Sequence, residues 1–212
     1  TMTDLIETEV LIIGCGIGGG TAALALADAG VPVTVVTRGK APEAANTYWA
    51  QGGIIYEGVE DSANLLVEDT LRAGAGHCYE PAVRLLAEEG PAAVRRVLLD
   101  RLGVAFDHST SGDLSLTLEG GHTLPRIIHA ADATGKVIEI ALLNALNAHP
   151  NITLLTGHSA VDLLTPAHHA RNRQAVYAPP SCVGAYLFDQ DQQRVVRCLA
   201  KKTILATGGL GQ

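Results

Sequence analysis

A glycine-rich turn near the start of the chain has the spacing of a phosphate-binding loop. Gly14-Cys15-Gly16-Ile17-Gly18-Gly19 fits the pattern G-x-G-x-x-G. In that pattern one glycine permits a tight turn, another lets the backbone approach a pyrophosphate, and the third lets a helix pack closely on a strand. The turn therefore predicts a dinucleotide site, in which the free N–H groups at the start of the following helix bind the phosphates.

The end of the next predicted strand lacks the acid that usually binds the ribose hydroxyls of a dinucleotide. Thr37 and Arg38 stand at that place. An arginine there fits the 2′-phosphate of NADP, but it fits a solvated loop residue equally well. The spacing leaves both interpretations open.

Two further stretches carry side chains suited to a ligand site. Residues 46–53, Asn46-Thr47-Tyr48-Trp49-Ala50-Gln51-Gly52-Gly53, contain the only tryptophan of the chain. Their composition predicts a packed loop with a hydrogen-bonding glutamine. Glu119-Gly120-Gly121-His122 is predicted to be a loop by its paired glycines, and it offers one carboxylate and one imidazole. Glu119 fits either a solvated loop acid or a partner for a cationic ligand group.

The composition excludes several classes of function. The formal net charge is −7 and no basic run is longer than Lys201-Lys202, so the cationic surface that nucleic acid requires is not expected. The four cysteines are scattered without a C-x-x-C pair, which indicates reduced thiols and a cytoplasmic location. The histidines show no metal-ligand spacing, and no metal site is predicted.

An uncharged stretch at residues 10–27 has the length of a membrane span. Five glycines lie inside it, and acidic residues precede it. Both features argue against a bilayer helix or a signal peptide. We therefore expect a nucleotide-binding segment rather than a membrane anchor.

The surrounding elements predict how these residues are positioned. The apolar runs Val10–Ile13 and Val33–Val36 flank an Ala/Leu-rich helix, so they predict a βαβ unit. Helices are predicted at 61–73, at 80–99 with an interruption at Gly90-Pro91, and at 134–147 with Thr134 as N-cap. A hairpin is predicted at 107–118, and strands at 152–155, 160–164, 183–189, 195–200 and 203–206, with a loop from 207 to 212. The expected fold is α/β and Rossmann-like, with a parallel sheet, an inserted helical and loop segment, and an antiparallel β appendage.

The motifs, taken in order, resemble the succinate dehydrogenase/fumarate reductase flavoprotein family. Ala50-Gln51-Gly52-Gly53 is similar to its A-Q-G-G signature beside the flavin, and Ala206-Thr207-Gly208-Gly209 is similar to its A-T-G-G strand end. Residues 67–71, 73–76, 119–122, 126–130 and 132–135 resemble the L-aspartate oxidase branch. The resemblance covers essentially the whole chain.

The resemblance implies FAD as the cofactor. The succinate branch bonds FAD covalently through a histidine, and this chain has Asn46 at that place, so non-covalent FAD is implied. Cys15 to Gly18 would hold the pyrophosphate, Arg38 would lie near the adenosine, and residues 46–53 would line the isoalloxazine. Ser159-Ala160 match the position that meets the adenine. Thr37-Arg38 match the L-aspartate oxidase branch, which weakens the NADP interpretation.

The resemblance also implies a substrate. Glu119 stands where the succinate branch typically has phenylalanine, and its carboxylate would orient the ammonium of L-aspartate. His122 and Thr123 match positions that contact a substrate carboxylate. The implied reaction oxidises L-aspartate to iminoaspartate, with FAD accepting the hydride and oxygen or fumarate as final acceptor. The product would feed quinolinate and NAD synthesis, with a quinolinate synthase as functional partner.

Residues 1–212 are expected to be the FAD-binding domain alone, without the capping and C-terminal helical domains of the family. Those parts carry the substrate-binding arginines, so we expect the chain alone to be inactive. Three other functions stay open: a soluble fumarate reductase or succinate dehydrogenase-type flavoprotein, an NAD(P)-binding reductase, and a nucleotide-binding fragment without catalysis.

Overall fold

The computed structural model describes residues 5–209, so Leu210–Gln212, the end of the predicted terminal loop, lie outside the described residues. The described residues form two compact units. One contains the chain up to Thr47 and again from Leu142 onward, and the other is Tyr48–Ala141. The strands are β1 (Leu5–Ile13), β2 (Val33–Val36), β3 (Ile54–Ile55), β4 (Ile127–Ile128), β5 (Ile152–Leu155), β6 (His158–Leu163), β7 (Gly184–Asp189) and β8 (Arg194–Leu205), and the helices are α1 (Ile17–Asp28), α2 (Ala63–Ala73), α3 (Glu80–Val94), α4 (Thr134–Ala148) and α5 (Pro166–His169).

The first unit is built on a six-stranded sheet with the order β5-β2-β1-β8-β7-β6. β1 pairs in parallel with β2 on one side and with β8 on the other, and β5 extends the parallel part beyond β2. β2 is buried throughout and β1 over its last four residues, as expected for apolar strands covered on both faces. The predicted βαβ unit and the α/β fold class are confirmed.

The antiparallel part of this sheet is also confirmed, with one correction. β6, β7 and β8 pair antiparallel. Two strands were predicted between 195 and 206, separated at Lys201-Lys202, but the structure has the single strand β8. β7 pairs with β8 from Arg194 to Leu199, and β1 pairs with β8 from Arg197 to Leu205. The strand continues through both lysines because their side chains are exposed, so neither ammonium group has to be buried.

The second unit contains α2 and α3, which pack through Leu66, Val67 and Ala87. The predicted interruption at Gly90-Pro91 is wrong, because α3 runs through both residues and continues as a π-helix over Arg95–Arg101. Pro91 removes one N–H from the helix. Ala87 before it and Leu98 after it are both buried in apolar clusters, and this packing holds the segment helical.

Short pairings organise the rest of the second unit. β3 and β4 form an antiparallel ribbon, with Ile54 opposite Ile128. The predicted hairpin at 107–118 is reduced to one bridge between His108 and Leu114. Thr134 is not an N-cap as predicted: it is the first residue of α4, and its hydroxyl accepts a hydrogen bond from the Ala130 N–H.

No helix among the described residues is long and apolar enough to cross a membrane.

Candidate functional site

The glycine-rich turn follows β1 directly and lies against the end of β8. Gly14 has φ +113°, and a Cβ on it would stand 2.1 Å from the Ala206 carbonyl oxygen. The Ala206 N–H donates to the Ile13 carbonyl at 2.8 Å, which holds the two strand ends together. The structure therefore brings the predicted residues Gly14 and Ala206 into contact, while Thr207 and Gly208 continue as exposed loop.

The start of α1 has the features that an anion site needs. Gly16 is the N-cap residue without a side-chain cap, and no acidic residue stands in the first turn. Gly19 is buried, and a Cβ on it would stand 2.1 Å from the Gly14 carbonyl oxygen. The Ile17 N–H donates to Thr47 Oγ1 at 3.0 Å, so Thr47 reaches this turn from the 46–53 segment. The positive end of the helix dipole favours phosphate here.

The place of the turn in the sheet strengthens this assignment. β1 connects to β2 on one side, while its other neighbour, β8, arrives much later in the chain. Ligands of open α/β sheets bind beyond the carboxyl ends of the strands where the strand order reverses in this way. Gly14–Gly19 occupy that position, and the residues present fit the pyrophosphate of a dinucleotide such as FAD.

Arg38 and Ser159 also lie together in the first unit. The Gln190 side-chain amide donates to the Arg38 carbonyl and to Ser159 Oγ, both at 3.1 Å. Arg38 itself is exposed beyond the end of β2, and Ala160 is exposed in β6. Gln190 was not predicted, because it comes from the turn between β7 and β8 and carries no spacing signal.

In the second unit, the loop after Trp49 is anchored by α4. The Gly135 N–H, near the start of α4, donates to the Ala50 carbonyl at 2.8 Å. Tyr48 and Trp49 meet edge to face with ring centroids 5.3 Å apart, and Lys136 Nζ lies 5.7 Å from the Tyr48 centroid. Trp49, Ala50, Gln51 and Gly52 are exposed, and so is Asn46, which belongs to the first unit. The predicted cofactor loop therefore has a fixed backbone and an open face.

Glu119 lies beside this loop. A Cβ on Gly53 would stand 3.4 Å from Glu119 Oε1, 2.7 Å from the Ile128 carbonyl oxygen and 2.1 Å from Ile127 Cγ2. The β3–β4 ribbon creates this proximity, because Gly53 precedes β3 and Glu119 begins the loop that leads into β4. The second unit thus joins a predicted cofactor residue to a predicted catalytic residue.

His122 and Thr123 are held by a buried ion-pair cluster that we did not predict as part of the site. Arg126 Nη1 lies 3.1 Å from His122 Nδ1 and 2.7 Å from Asp69 Oδ2. Asp69 Oδ2 also accepts from the Thr123 N–H at 2.9 Å and from its hydroxyl at 3.0 Å. Asp61 binds Arg126 through both carboxylate oxygens, at 2.7 and 2.9 Å. The sequence signal was present but unassigned, since Asp69 and Arg126 lie in two of the stretches that resemble the L-aspartate oxidase branch.

The cluster shifts the pKa values of its members so that all stay charged. Burial raises the pKa of Asp69, but hydrogen bonds from Thr123 and Arg126 outweigh it and lower the pKa to about 2. Burial and the bonds from Arg126 act in the same opposed way on Asp61, whose pKa is lowered. Burial lowers the pKa of Arg126, but its two carboxylate partners outweigh this and raise it.

Comparison with known proteins points to one family. The model of the FAD binding domain family matches residues 9–212. The chain is 42% identical over 207 residues to L-aspartate oxidase 1 of Ralstonia nicotianae, covering 96% of this chain and 37% of that protein. It is 41% identical over 209 residues to the L-aspartate oxidase of Vibrio cholerae, with the same coverage of 96% and 37%. The chain thus spans little more than a third of the length of these curated relatives.

Solved structures give the same fold. The Sdh1 complex of Mycobacterium smegmatis matches with a TM-score of 0.82 and 26% identity over 98% of this chain and 35% of that one. A quinol fumarate reductase from E. coli matches with a TM-score of 0.84 and 22% identity over 99% of this chain and 34% of that one. The family match and the relatives together indicate FAD as the cofactor.

Proposed function

The chain belongs to the FAD binding domain family, and from this premise we propose that residues 1–212 form the FAD-binding domain of an L-aspartate oxidase. The proposed reaction oxidises L-aspartate to iminoaspartate, with electrons passing to oxygen or fumarate. Relatives about 40% identical over nearly the whole chain, all named L-aspartate oxidase, support the assignment.

The position of Glu119 carries this proposal. Its carboxylate lies beside Gly53. Gly53 belongs to the loop that we expect to line the isoalloxazine. A carboxylate there repels a substrate whose only charges are carboxylates, whereas it attracts the ammonium of L-aspartate. Glu119 therefore favours an amino acid over succinate at the same place.

A fumarate reductase or succinate dehydrogenase-type flavoprotein is the second candidate. The structural similarity to the Sdh1 complex favours it. Glu119 and Asn46 count against it, because Asn46 has no imidazole with which to bond FAD covalently. We propose non-covalent FAD held by the turn at Gly14–Gly19, near Arg38 and Ser159-Ala160 at its adenosine end and beside Asn46–Gly53 at its flavin end.

The cellular role follows from the proposed product. Iminoaspartate would serve quinolinate and NAD synthesis, with a quinolinate synthase as the functional partner. The scattered cysteines, which include no C-x-x-C pair, support a reducing compartment such as the cytoplasm.

Glu119→Gln in the complete protein tests the proposal. We expect aspartate oxidation to fall by roughly 100-fold, in the range of a lost charge-assisted hydrogen bond, while fumarate reduction keeps most of its rate because fumarate has no ammonium. The measurement is the anaerobic bleaching of bound FAD by L-aspartate and the reoxidation of reduced FAD by fumarate.

Asp113→Asn is the matched control, since it removes the same charge from an exposed turn of the same unit. Equal losses for both substrates in Glu119→Gln would contradict the role of Glu119. Bleaching of the unsubstituted protein by succinate but not by aspartate would move the assignment to the second candidate.

A further inference from the structure

The hydrogen bond between Arg126 and His122 determines where the imidazole carries its proton. Arg126 Nη1 lies 3.1 Å from His122 Nδ1. A guanidinium has only N–H donors and no acceptor, so Nδ1 must accept. A neutral imidazole with an accepting Nδ1 carries its proton on Nε2.

Arg126 is held firmly enough to impose this state. Its side chain has no exposed surface, and both oxygens of Asp61 bind it in a fork-to-fork arrangement. Asp69 takes one hydrogen of Nη1 at 2.7 Å, which leaves the other for His122. Arg72, whose side chain is largely exposed, pairs with the other oxygen of Asp69, Oδ1. The guanidinium is therefore fixed in place and charged.

The same cluster decides what Thr123 offers to a ligand. Its hydroxyl donates to Asp69 Oδ2 at 3.0 Å. The hydroxyl has a single proton, and that bond uses it. The oxygen can therefore only accept hydrogen bonds from a ligand. A carboxylate needs donors, and lone pairs repel it. Of the two residues expected to contact a substrate carboxylate, only His122 then has a proton to donate.

We propose that Arg126 is a positioning residue which fixes His122 as the neutral Nε2–H tautomer, so that Nε2–H is the donor for a carboxylate of the substrate. Thr123, with its proton committed to Asp69, fits a substrate ammonium instead of a carboxylate. The identity of that substrate rests on the proposed function, whereas the tautomer belongs to this chain by itself.

The tautomer is measured directly on the 212-residue chain. Long-range 1H–15N correlation spectra of the labelled protein near pH 7.5 distinguish the two neutral tautomers and the cation, and His122→Ala assigns the signal. We expect the Nε2–H tautomer alone. A signal of the Nδ1–H tautomer, or a mixture of the two, overturns the proposal.

Arg126→Lys tests whether Arg126 is the cause. Lysine keeps the charge but cannot hold Asp61 at both oxygens and reach His122 as well, so we expect His122 to become a mixture of tautomers. Arg72→Lys is the matched control, because Arg72 shares Asp69 but does not contact His122; its spectrum should match the unsubstituted protein. An unchanged His122 signal in folded Arg126→Lys overturns the positioning role.

The role toward substrate is tested in the complete protein by two replacements of His122. Gln places an N–H donor near the position of Nε2, whereas Asn places one near Nδ1. We expect His122→Asn to raise the KM for L-aspartate by roughly 10- to 100-fold, as for a lost hydrogen bond to a charged group, with kcat less affected, and His122→Gln to retain most of the binding. Equal KM values overturn the donor role. Failure of the unsubstituted protein to oxidise aspartate would instead refute the proposed function, while the tautomer is decided by the spectra.

Discussion

At the scale of single residues, the side-chain carboxyl group of Glu139 in α4 is buried without a hydrogen-bond partner among the described residues. The residue is 1% exposed, and its Oε2 has no hydrogen-bond partner among the described residues. Burial raises its pKa to about 7, since a buried carboxylate without partners is more stable when protonated. Arg126 is the contrasting case: its buried side chain stays charged because two carboxylates, Asp61 and Asp69, pair with it.

Glu139→Gln should change how stability depends on pH. The unfolded chain loses the Glu139 proton near pH 4.5, whereas the folded chain keeps it to about pH 7. The free energy of unfolding of the parent chain therefore falls between these values and then levels off. Glutamine stays neutral, so we expect the variant to be more stable at pH 8 by roughly 3 kcal/mol and nearly equal at pH 4.

Urea unfolding at both pH values measures this effect. Glu89→Gln is the control, because Glu89 is exposed on α3 and its replacement should shift stability little at either pH. Parallel pH profiles for Glu139→Gln and the parent chain would show that Glu139 is ionised in the folded state.

At the scale of elements, the β3–β4 ribbon positions the site of the second unit. It joins the Ala50–Gly53 loop to the loop of Glu119, His122 and Thr123, although these loops lie far apart in sequence. Gly53 permits the close approach, since a side chain there would meet Ile127 and the Ile128 carbonyl.

Gly53→Ala and Gly52→Ala form a matched pair that tests this approach. A Cβ on Gly53 would stand 2.1 Å from Ile127 Cγ2, whereas a Cβ on Gly52 would have no atom within 4 Å. We expect Gly53→Ala to lower the free energy of unfolding by roughly 1–3 kcal/mol, as for overpacking, and Gly52→Ala to change it by less than about 0.5 kcal/mol. Chemical unfolding measures both, and equal destabilisation would mean that the ribbon accommodates the methyl group.

At the scale of the whole molecule, binding of the cofactor and turnover of substrate make different demands on the chain. The phosphate turn, Arg38 and Ser159 are provided by the first unit. A substrate with two carboxylates also needs cationic partners. Arg126 is not available for this, because it is buried and bound to Asp61 and Asp69.

We therefore expect residues 1–212 to bind FAD but to give no steady aspartate-dependent production of hydrogen peroxide. Equilibrium dialysis against FAD and a peroxide assay with L-aspartate measure the two properties on the same sample. The Gly14→Ala variant, whose methyl group would meet the Ala206 carbonyl, is the control for binding at the phosphate turn. A sustained rate of peroxide production by the chain would contradict this expectation.

The sequence by itself determined the elements whose signal is local. Val33–Val36 and Ile152–Leu155 were predicted with the bounds that the structure has, because short apolar runs between loops favour buried strands. The glycine turn was equally easy to recognise, and the structure gives the reason at two positions: Gly14 has a positive φ, and a Cβ on Gly14 or Gly19 would stand 2.1 Å from a backbone oxygen. Motif order was enough to indicate the flavoprotein family, while the role of Glu119 stays a prediction.

Only the tertiary structure decided features that depend on distant partners. The continuous helix at Gly90-Pro91 and the single strand β8 follow from packing and pairing that outweigh local preference. Arg126 joins Asp61 and Asp69, which precede it by 65 and 57 positions, and no local pattern encodes such a pairing. The tautomer of His122 depends on that cluster, because a proton's position is set by the atoms around it and not by the order of residues along the chain.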